Sequence, residues 1–94
     1  MPTPIDYVFF DMAVNEGPHQ ATLNLQRALG VKADGHIGVI TMHAIQTADL
    51  KTLVARVCNE NRKFYRRLKR FPRYGKGWLA RVSAVEKSAV AMLS

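Results

Sequence analysis

The acidic side chains of this chain, the residues most able to act as general acids and bases, are spread along it without an obvious pair. Hydrolysis of a glycosidic bond, for example, needs one carboxyl group with a raised pKa and commonly a second carboxylate several Å away. Most of the acids fit a simpler role on a helix surface, at a helix cap or in a turn: Asp6, Asp11, Asp34, Asp49, Glu60 and Glu86. We therefore expect no catalytic centre in this chain.

The residue types that bind metals or act as nucleophiles are also isolated from one another. His19, His36 and His43 lack the spacing of a metal site, and the single Cys58 has no second cysteine to join. Cys58 falls on the apolar face of a predicted helix, which indicates a core thiol. The serines lie late in the chain, outside any Gly-x-Ser-x-Gly context. We predict neither a metal nor a cofactor.

Basic residues are concentrated in the second half of the chain. Residues 1–50 carry two basic and five acidic side chains, whereas residues 51–94 carry twelve basic and two acidic ones, for a net charge of +7. The densest group forms the candidate polyanion-binding set: Arg62, Lys63, Arg66, Arg67, Lys69, Arg70 and Arg73. Many charged helix faces are only solvated, but a one-sided field attracts polyanions. The candidate partners are acidic wall polymers or lipopolysaccharide, an anionic membrane surface, and nucleic acid.

Hydrophobic spacing predicts an all-α single domain of about five helices, residues 1–94. The first helix begins near Thr3-Pro4 and ends at Gly17-Pro18, and the second runs from about His19 to Leu29. The others run from about Val39 to Thr47, from the cap Asp49 to about Leu68, and from Trp78 to Met92. We predict that Phe71–Gly77 is not helical and separates the last two helices. In the third helix, the residues predicted to face the core are Ile40, Ala44, Ile45 and Ala48.

A glycine-rich loop joins the second and third predicted helices. Gly30 stands where a left-handed residue ends a helix, and Asp34-Gly35 can form a tight turn. Gly38 lets the chain enter the third helix, and the Thr41 hydroxyl is placed to bond a free backbone group in its first turn. The helix, loop and helix are thus expected to form one unit.

Four segments, in order along the chain, resemble one known family. They are Phe10–Asn15, Leu25–Val31, Asp34–Gly38 followed by Thr41, and Gly77–Val82. Together they resemble the predicted peptidoglycan-binding region of phage-type muramidases, glycoside hydrolase family 108. The resemblance covers nearly the whole chain and implies a role in binding the cell wall.

The same resemblance implies that the chain is not an enzyme. In that family the catalytic glutamate lies upstream, in a Glu-Gly-Gly setting within a separate first half. This chain begins after the point where that half would end. Its own Glu16-Gly17 is followed by Pro18, and the residues before it match the downstream region.

The resemblance further implies a site for a muropeptide along a groove beside the loop. Sugar recognition commonly uses an aromatic platform with amide groups, which Trp78 and Tyr74 would provide together with nearby polar side chains. The implied ligand-binding residues are Asn15, Gln26, Asp34, Trp78 and Arg81. Asp34 would also serve to build the loop, and Trp78 to fill the core.

We therefore expect a non-catalytic module of phage endolysin type that binds peptidoglycan or another anionic polymer in host cell lysis, alone or docked on a catalytic endolysin subunit. The apolar runs are too short for a transmembrane helix, and the start lacks a secretory signal. We expect the protein to reside in the host cytoplasm and to be released to the wall during lysis.

The alternative is a phage interaction protein that uses its basic helix to inhibit a host nucleic-acid or defence (anti-CRISPR-type) complex. Direct recognition of DNA bases is not expected, because the loop of residues 31–38 is longer than the turn of a helix-turn-helix motif.

Overall fold

The computed structural model describes residues 3–93 and contains five α-helices. They are α1 (Thr3–Glu16), α2 (Pro18–Leu29), α3 (Val39–Thr47), α4 (Leu50–Arg66) and α5 (Phe71–Ala91). No strand occurs within residues 3–93, and the predicted all-α fold is confirmed. In the same range, no helix is both long and apolar enough to cross a bilayer.

Helix α4 lies at the centre of the bundle and contacts α1, α2 and α5. Its buried side chains recur at helical spacing, as the sequence predicts: Leu53, Val54, Val57, Cys58, Asn61 and Tyr65. Asp49 accepts the Thr52 backbone N–H at 3.0 Å, which confirms the predicted cap. Burial raises the pKa of the Cys58 thiol to about 12, so this residue is an inert part of the core.

Two glycines with left-handed backbone mark the boundaries of α2. Gly17, with φ 93°, joins α1 to Pro18 at the start of α2. Gly30, with φ 74°, ends α2 and donates its N–H to the Arg27 carbonyl. Both positions favour glycine because a side chain there would clash with the backbone. The predicted helix ends are confirmed.

The core prediction for α3 is wrong at Ile40. Ile40 is 75% exposed, whereas Thr41 and Ile45 are buried. Helix α3 packs against α2 alone, so it buries only a narrow stripe of about one residue per turn, and Thr41 and Ile45 occupy it. Ala44 and Ala48 are partly buried beside this stripe.

Helix α5 begins at Phe71 rather than at Trp78, so the predicted break over Phe71–Gly77 is wrong. Pro72 is tolerated because it lies in the first turn, where its missing N–H is not needed. Gly75 allows the Phe71 ring to lie against the helix: a β-carbon at position 75 would stand 2.5 Å from Phe71 Cε1. Glycine and proline therefore shape the start of α5 instead of preventing it.

Helix α5 buries Val82, Val85 and Ala89, which recur at helical spacing on one face. Trp78 is partly buried against the core. Met92, the predicted last residue of this helix, is the residue after α5 and is 45% exposed.

Gly75→Ala should lower the free energy of unfolding by about 1 kcal/mol, because the new methyl group displaces the Phe71 ring. Gly77→Ala is the matched control, since nothing lies within 4 Å of a β-carbon placed there. It should raise the free energy of unfolding by about 0.5–1 kcal/mol through lower backbone entropy. Urea unfolding followed by circular dichroism measures both changes. Equal stabilisation by the two substitutions would contradict the Phe71 packing.

Candidate functional site

The side chain of Gln26 ties α2 to the loop that precedes α3. Its Nε2 group donates to Asp34 Oδ1 at 2.9 Å, to the His36 carbonyl at 2.8 Å and to Thr41 Oγ1 at 3.2 Å. Its Oε1 accepts the Gly35 N–H at 3.0 Å. Gln26 has no exposed surface. One buried amide therefore holds the loop against α2 and sets where α3 begins.

The Asp34–Gly35 turn forms as predicted, and Gly35 has φ 82°. Asp34 Oδ1 also accepts the His36 N–H at 2.9 Å, and hydrogen bonds from His36 and Gln26 lower the pKa of Asp34. The His19 imidazole covers the turn, because a β-carbon at Gly35 would stand 2.5 Å from His19 Cε1. The turn is thus packed as well as hydrogen-bonded.

The cap predicted at Thr41 is wrong, because no side chain caps α3 and the Thr41 hydroxyl accepts a hydrogen bond from Gln26 instead. Two of the predicted ligand residues, Gln26 of α2 and Asp34 of the loop, are hydrogen-bonded to each other. Buried Gln26 would affect a ligand only by positioning the loop, whereas Asp34 is exposed. Ligand binding at Asp34 stays a prediction.

Two further predicted ligand residues meet at Asp11 on α1. Arg81 Nη2 on α5 lies 2.6 Å from Asp11 Oδ1, and Asn15 Nδ2 donates to the Asp11 carbonyl at 2.8 Å. The hydrogen bond that Arg81 donates to the Asp11 carboxylate raises the pKa of Arg81. Asn15 and Arg81 are both exposed beside this contact, so their side chains present an amide and a guanidinium on the α1–α5 face.

Trp78, the fifth predicted ligand residue, lies in a row of three aromatic rings. Its ring stacks on Tyr65 with centroids 5.1 Å apart and contacts Tyr74 at 5.7 Å. Tyr65 is buried, Trp78 is half-buried and Tyr74 is 42% exposed. The Arg73 guanidinium lies over the Tyr74 ring, 5.3 Å from its centroid. The outer end of the aromatic row is therefore an aromatic face beside a cation.

Two members of the predicted polyanion-binding set are paired with acids. Arg62 contacts Glu86 of α5 and donates to Asn59 Oδ1 at 2.8 Å, and its side chain is only 18% exposed. Lys63 lies 3.3 Å from Glu60. Glu86 lies on another helix than Arg62, whereas Glu60 lies one turn before Lys63 on α4. Arg62 is a poor candidate for an external anion because its charge is already used to join α4 and α5.

The other members form a group that we call the basic end: Arg66, Arg67, Lys69, Arg70 and Arg73. All are exposed around the connection from α4 to α5, and no carboxylate of residues 3–93 lies within 4.0 Å of them. Arg67 lies over the Phe64 ring at 6.0 Å. The basic end adjoins the aromatic row through Arg73 and Tyr74. Its binding of anions stays a prediction.

The Glu16 carboxylate, on the last residue of α1, lies in a polar contact between α1, α2 and α4. Asn24 Nδ2 donates to Glu16 Oε1 at 3.1 Å. In the orientation that satisfies its hydrogen bonds, the Asn61 amide donates to both oxygens, and the Tyr65 hydroxyl also bonds the carboxylate. Burial raises the pKa of Glu16 to about 7 against the lowering effect of Tyr65 and Asn24.

This polar contact escaped sequence reasoning because its members come from three helices. Asn24 and Asn61 are buried polar residues on inward faces of their helices, which is a signal that a partner must exist. The sequence does not identify that partner. Among residues 3–93, no three His, Cys, Asp or Glu side chains come together as metal ligands.

Gln26→Ala should lower the free energy of unfolding by about 2–3 kcal/mol, because it removes the shared partner of three part-buried loop bonds and of the buried Thr41 hydroxyl. Exposed Gln46 on α3 is the matched control, and Gln46→Ala should change stability by less than about 0.5 kcal/mol. Hydrogen exchange of the loop amides would show the local loss of protection. Unchanged exchange in Gln26→Ala would contradict the role of this amide.

The raised pKa of Glu16 predicts that stability falls as the pH rises. Folding raises the pKa from 4.5 to about 7, so the native state binds this proton more tightly than the unfolded chain. The Glu16 contribution is fully present below the unfolded pKa and is lost through about pH 7, with a magnitude on the order of 2 kcal/mol. Urea unfolding between pH 5 and pH 8 should show this slope. Glu16→Gln should flatten it and Glu60→Gln should not.

Comparison with known proteins places this geometry in a family. The structure of Brucella abortus SagA matches with a TM-score of 0.93 and 33% sequence identity, over 97% of this chain and 52% of that chain. The chain thus spans about half the length of SagA. A comparison with curated proteins gave no match. The profile of a family described as a predicted peptidoglycan domain matches residues 20–83, from α2 into α5. This chain belongs to that family of peptidoglycan-binding domains.

Proposed function

We propose that this chain is a non-catalytic module of endolysin type that holds a wall-degrading enzyme against peptidoglycan. The observation that carries the proposal is the match to a peptidoglycan-binding family over residues 20–83. The resemblance of four segments to phage-type muramidases supports the link with lysis. The 52% coverage of SagA is consistent with a module that works beside a second region.

Peptidoglycan combines sugar rings with peptides that carry free carboxylates, and the α4–α5 end of the domain offers a partner for each. The Tyr74 ring is 42% exposed and is flanked by Trp78 and by the Arg73 guanidinium, and its remaining surface would contact a sugar ring. Arg73 lies over this ring, Arg70 is exposed immediately before α5, and guanidinium groups suit carboxylates. A sugar and a peptide carboxylate would thus be bound by adjacent side chains.

The charge distribution at the start of α5 also favours an anion. Its first turn contains no acidic residue, while Arg70 is the residue before the helix and Arg73 lies within its first turn. Cations at a helix N-terminus oppose the helix dipole, so this arrangement costs stability in the free protein. A bound carboxylate would remove that cost, because it interacts favourably with both the dipole and the arginines.

Replacement of four cations of the basic end, Arg66, Arg67, Arg70 and Arg73, by Gln should weaken binding to purified sacculi by about tenfold or more. The measurement is retention of the chain by sacculi in a pull-down at physiological salt. The binding of the unchanged protein should weaken as salt increases, and the variant should show a smaller salt dependence. Neither protein should release soluble muropeptides.

The matched control removes the same charge from elsewhere on the surface. Arg27, Lys32, Lys51 and Lys87 are exposed, and their replacement by Gln should weaken retention by less than about threefold. Equal losses in the two variants would show that only net charge matters. Failure of the unchanged protein to bind sacculi would overturn the proposed function. The alternative role against a host nucleic-acid or defence complex gains no support from the comparisons.

A further inference from the structure

A cavity of about 290 Å³ lies between α2, α3 and the start of α4. It is separate from the basic end, the aromatic row and the Glu16 contact, none of whose residues line it. Its lining consists of Ala28, Leu29, Ala44, Thr47, Ala48, Asp49, Thr52, Leu53 and Arg56. The volume is close to the lower end of the range of about 300–1,000 Å³ for ligand pockets, so it suits a small fragment.

The cavity is bordered by three alanines, whose side chains leave space between the helices. Helix α3 packs against α2 alone, and the cavity beside it is lined by Ala44 of α3, by Ala48 at the C-cap of α3 and by Ala28 of α2. Larger side chains at these three positions would fill the space, as they do elsewhere in the core. Leu53 completes an apolar floor of methyl groups.

The polar rim of the cavity has hydrogen-bond acceptors and one free cation. The Thr52 hydroxyl donates to Asp49 Oδ2 at 2.7 Å, and the Thr47 hydroxyl donates to the His43 carbonyl at 3.0 Å. Their protons are used, so both hydroxyl oxygens remain available to accept an N–H group. Arg56 is exposed, and no carboxylate of residues 3–93 pairs with it. Asp49 Oδ2 accepts the Thr52 N–H and hydroxyl as the cap of α4, and these bonds lower the pKa of Asp49, so Arg56 is the group of the lining that suits a carboxylate.

The lining of the cavity suits the peptide of peptidoglycan better than its sugar. A sugar ring is disfavoured because no aromatic side chain lines the cavity. A peptide terminus with small side chains matches each surface: its methyl groups match the alanine floor, its N–H groups match the threonine oxygens, and its carboxylate matches Arg56. Peptidoglycan stem peptides are rich in alanine and can end in a free alanyl carboxylate.

We propose that the cavity between α2, α3 and α4 binds the alanyl carboxyl terminus of a peptidoglycan stem peptide, with Arg56 as the carboxylate partner. This inference rests on the proposed function, because it assumes that the wall is the ligand. It adds a second site to the basic end, for a chemically different group of the same polymer.

The test uses N-acetyl-D-alanyl-D-alanine and its C-terminal amide as probes, with methyl NMR of the full chain. The free acid should shift the methyl signals of Ala44 and Ala48, whereas the amide should bind at least about fivefold more weakly. Absence of a shift with the free acid, up to its solubility limit, overturns the proposal. Equal binding of acid and amide also overturns it, because Arg56 would then recognise nothing.

Arg56→Gln supplies a variant that keeps the fold, since Arg56 is exposed and makes no hydrogen bond or ion pair among residues 3–93. It should weaken binding of the acid by about fivefold and leave binding of the amide unchanged. Lys87→Gln on α5 is the charge-matched control and should have no effect. Ala48→Met should fill the cavity and abolish the shifts with both probes.

Retention by sacculi separates failure of this inference from failure of the proposed function. If sacculi retain the chain but the acid leaves the Ala44 and Ala48 signals unmoved, the cavity site is wrong and wall binding stands. If sacculi do not retain the chain, the proposed function itself fails. Loss of acid binding equally in Arg56→Gln and Lys87→Gln would assign the effect to net charge and overturn the role of Arg56.

Discussion

Burial of one side of α4 against α1, α2 and α5 is the constraint on which the rest of the structure depends. Its inward residues, Val54, Val57 and Cys58, are almost completely buried. The same helix then contributes to each candidate region from a different part of its length. Its first turns line the cavity, Asn61 and Tyr65 bond Glu16, and its end carries the basic residues. A shift of α4 along its axis would therefore alter every region together.

The fold was predictable where the signal is local to the chain. Gly30 and Asp49 have a conformational or hydrogen-bonding role that depends on residues within one turn, and both predictions hold. The prediction failed at Ile40, because the width of the buried stripe on α3 depends on how many helices surround it. It failed at Phe71–Gly77 because Gly75 acts through contact with one particular ring.

The candidate site was less predictable, since its members are paired across the bundle. Arg62 belonged to the predicted polyanion-binding set, but Glu86, 24 positions later, lies beside it. The family resemblance implies Gln26 as a ligand-binding residue. In the structure its amide is buried and supports the loop. Periodicity identifies which face of a helix is apolar, but not which polar residue on that face has a partner.

The arrangement of the two proposed contact regions bears on how a small domain can bind a polymer. Leu53 at the cavity and Arg66 at the basic end are thirteen residues apart on α4, which corresponds to about 20 Å along a helix. Each region alone offers few contacts, and exposed charge pairs are individually weak. Peptidoglycan repeats its sugars and peptides, however, so one strand can occupy both regions at once. The second contact is then intramolecular, and the rigid helix that separates the regions fixes the spacing at which it forms. A domain of this kind would retain an enzyme on intact wall and release it from short fragments, because fragments shorter than this spacing engage only one region.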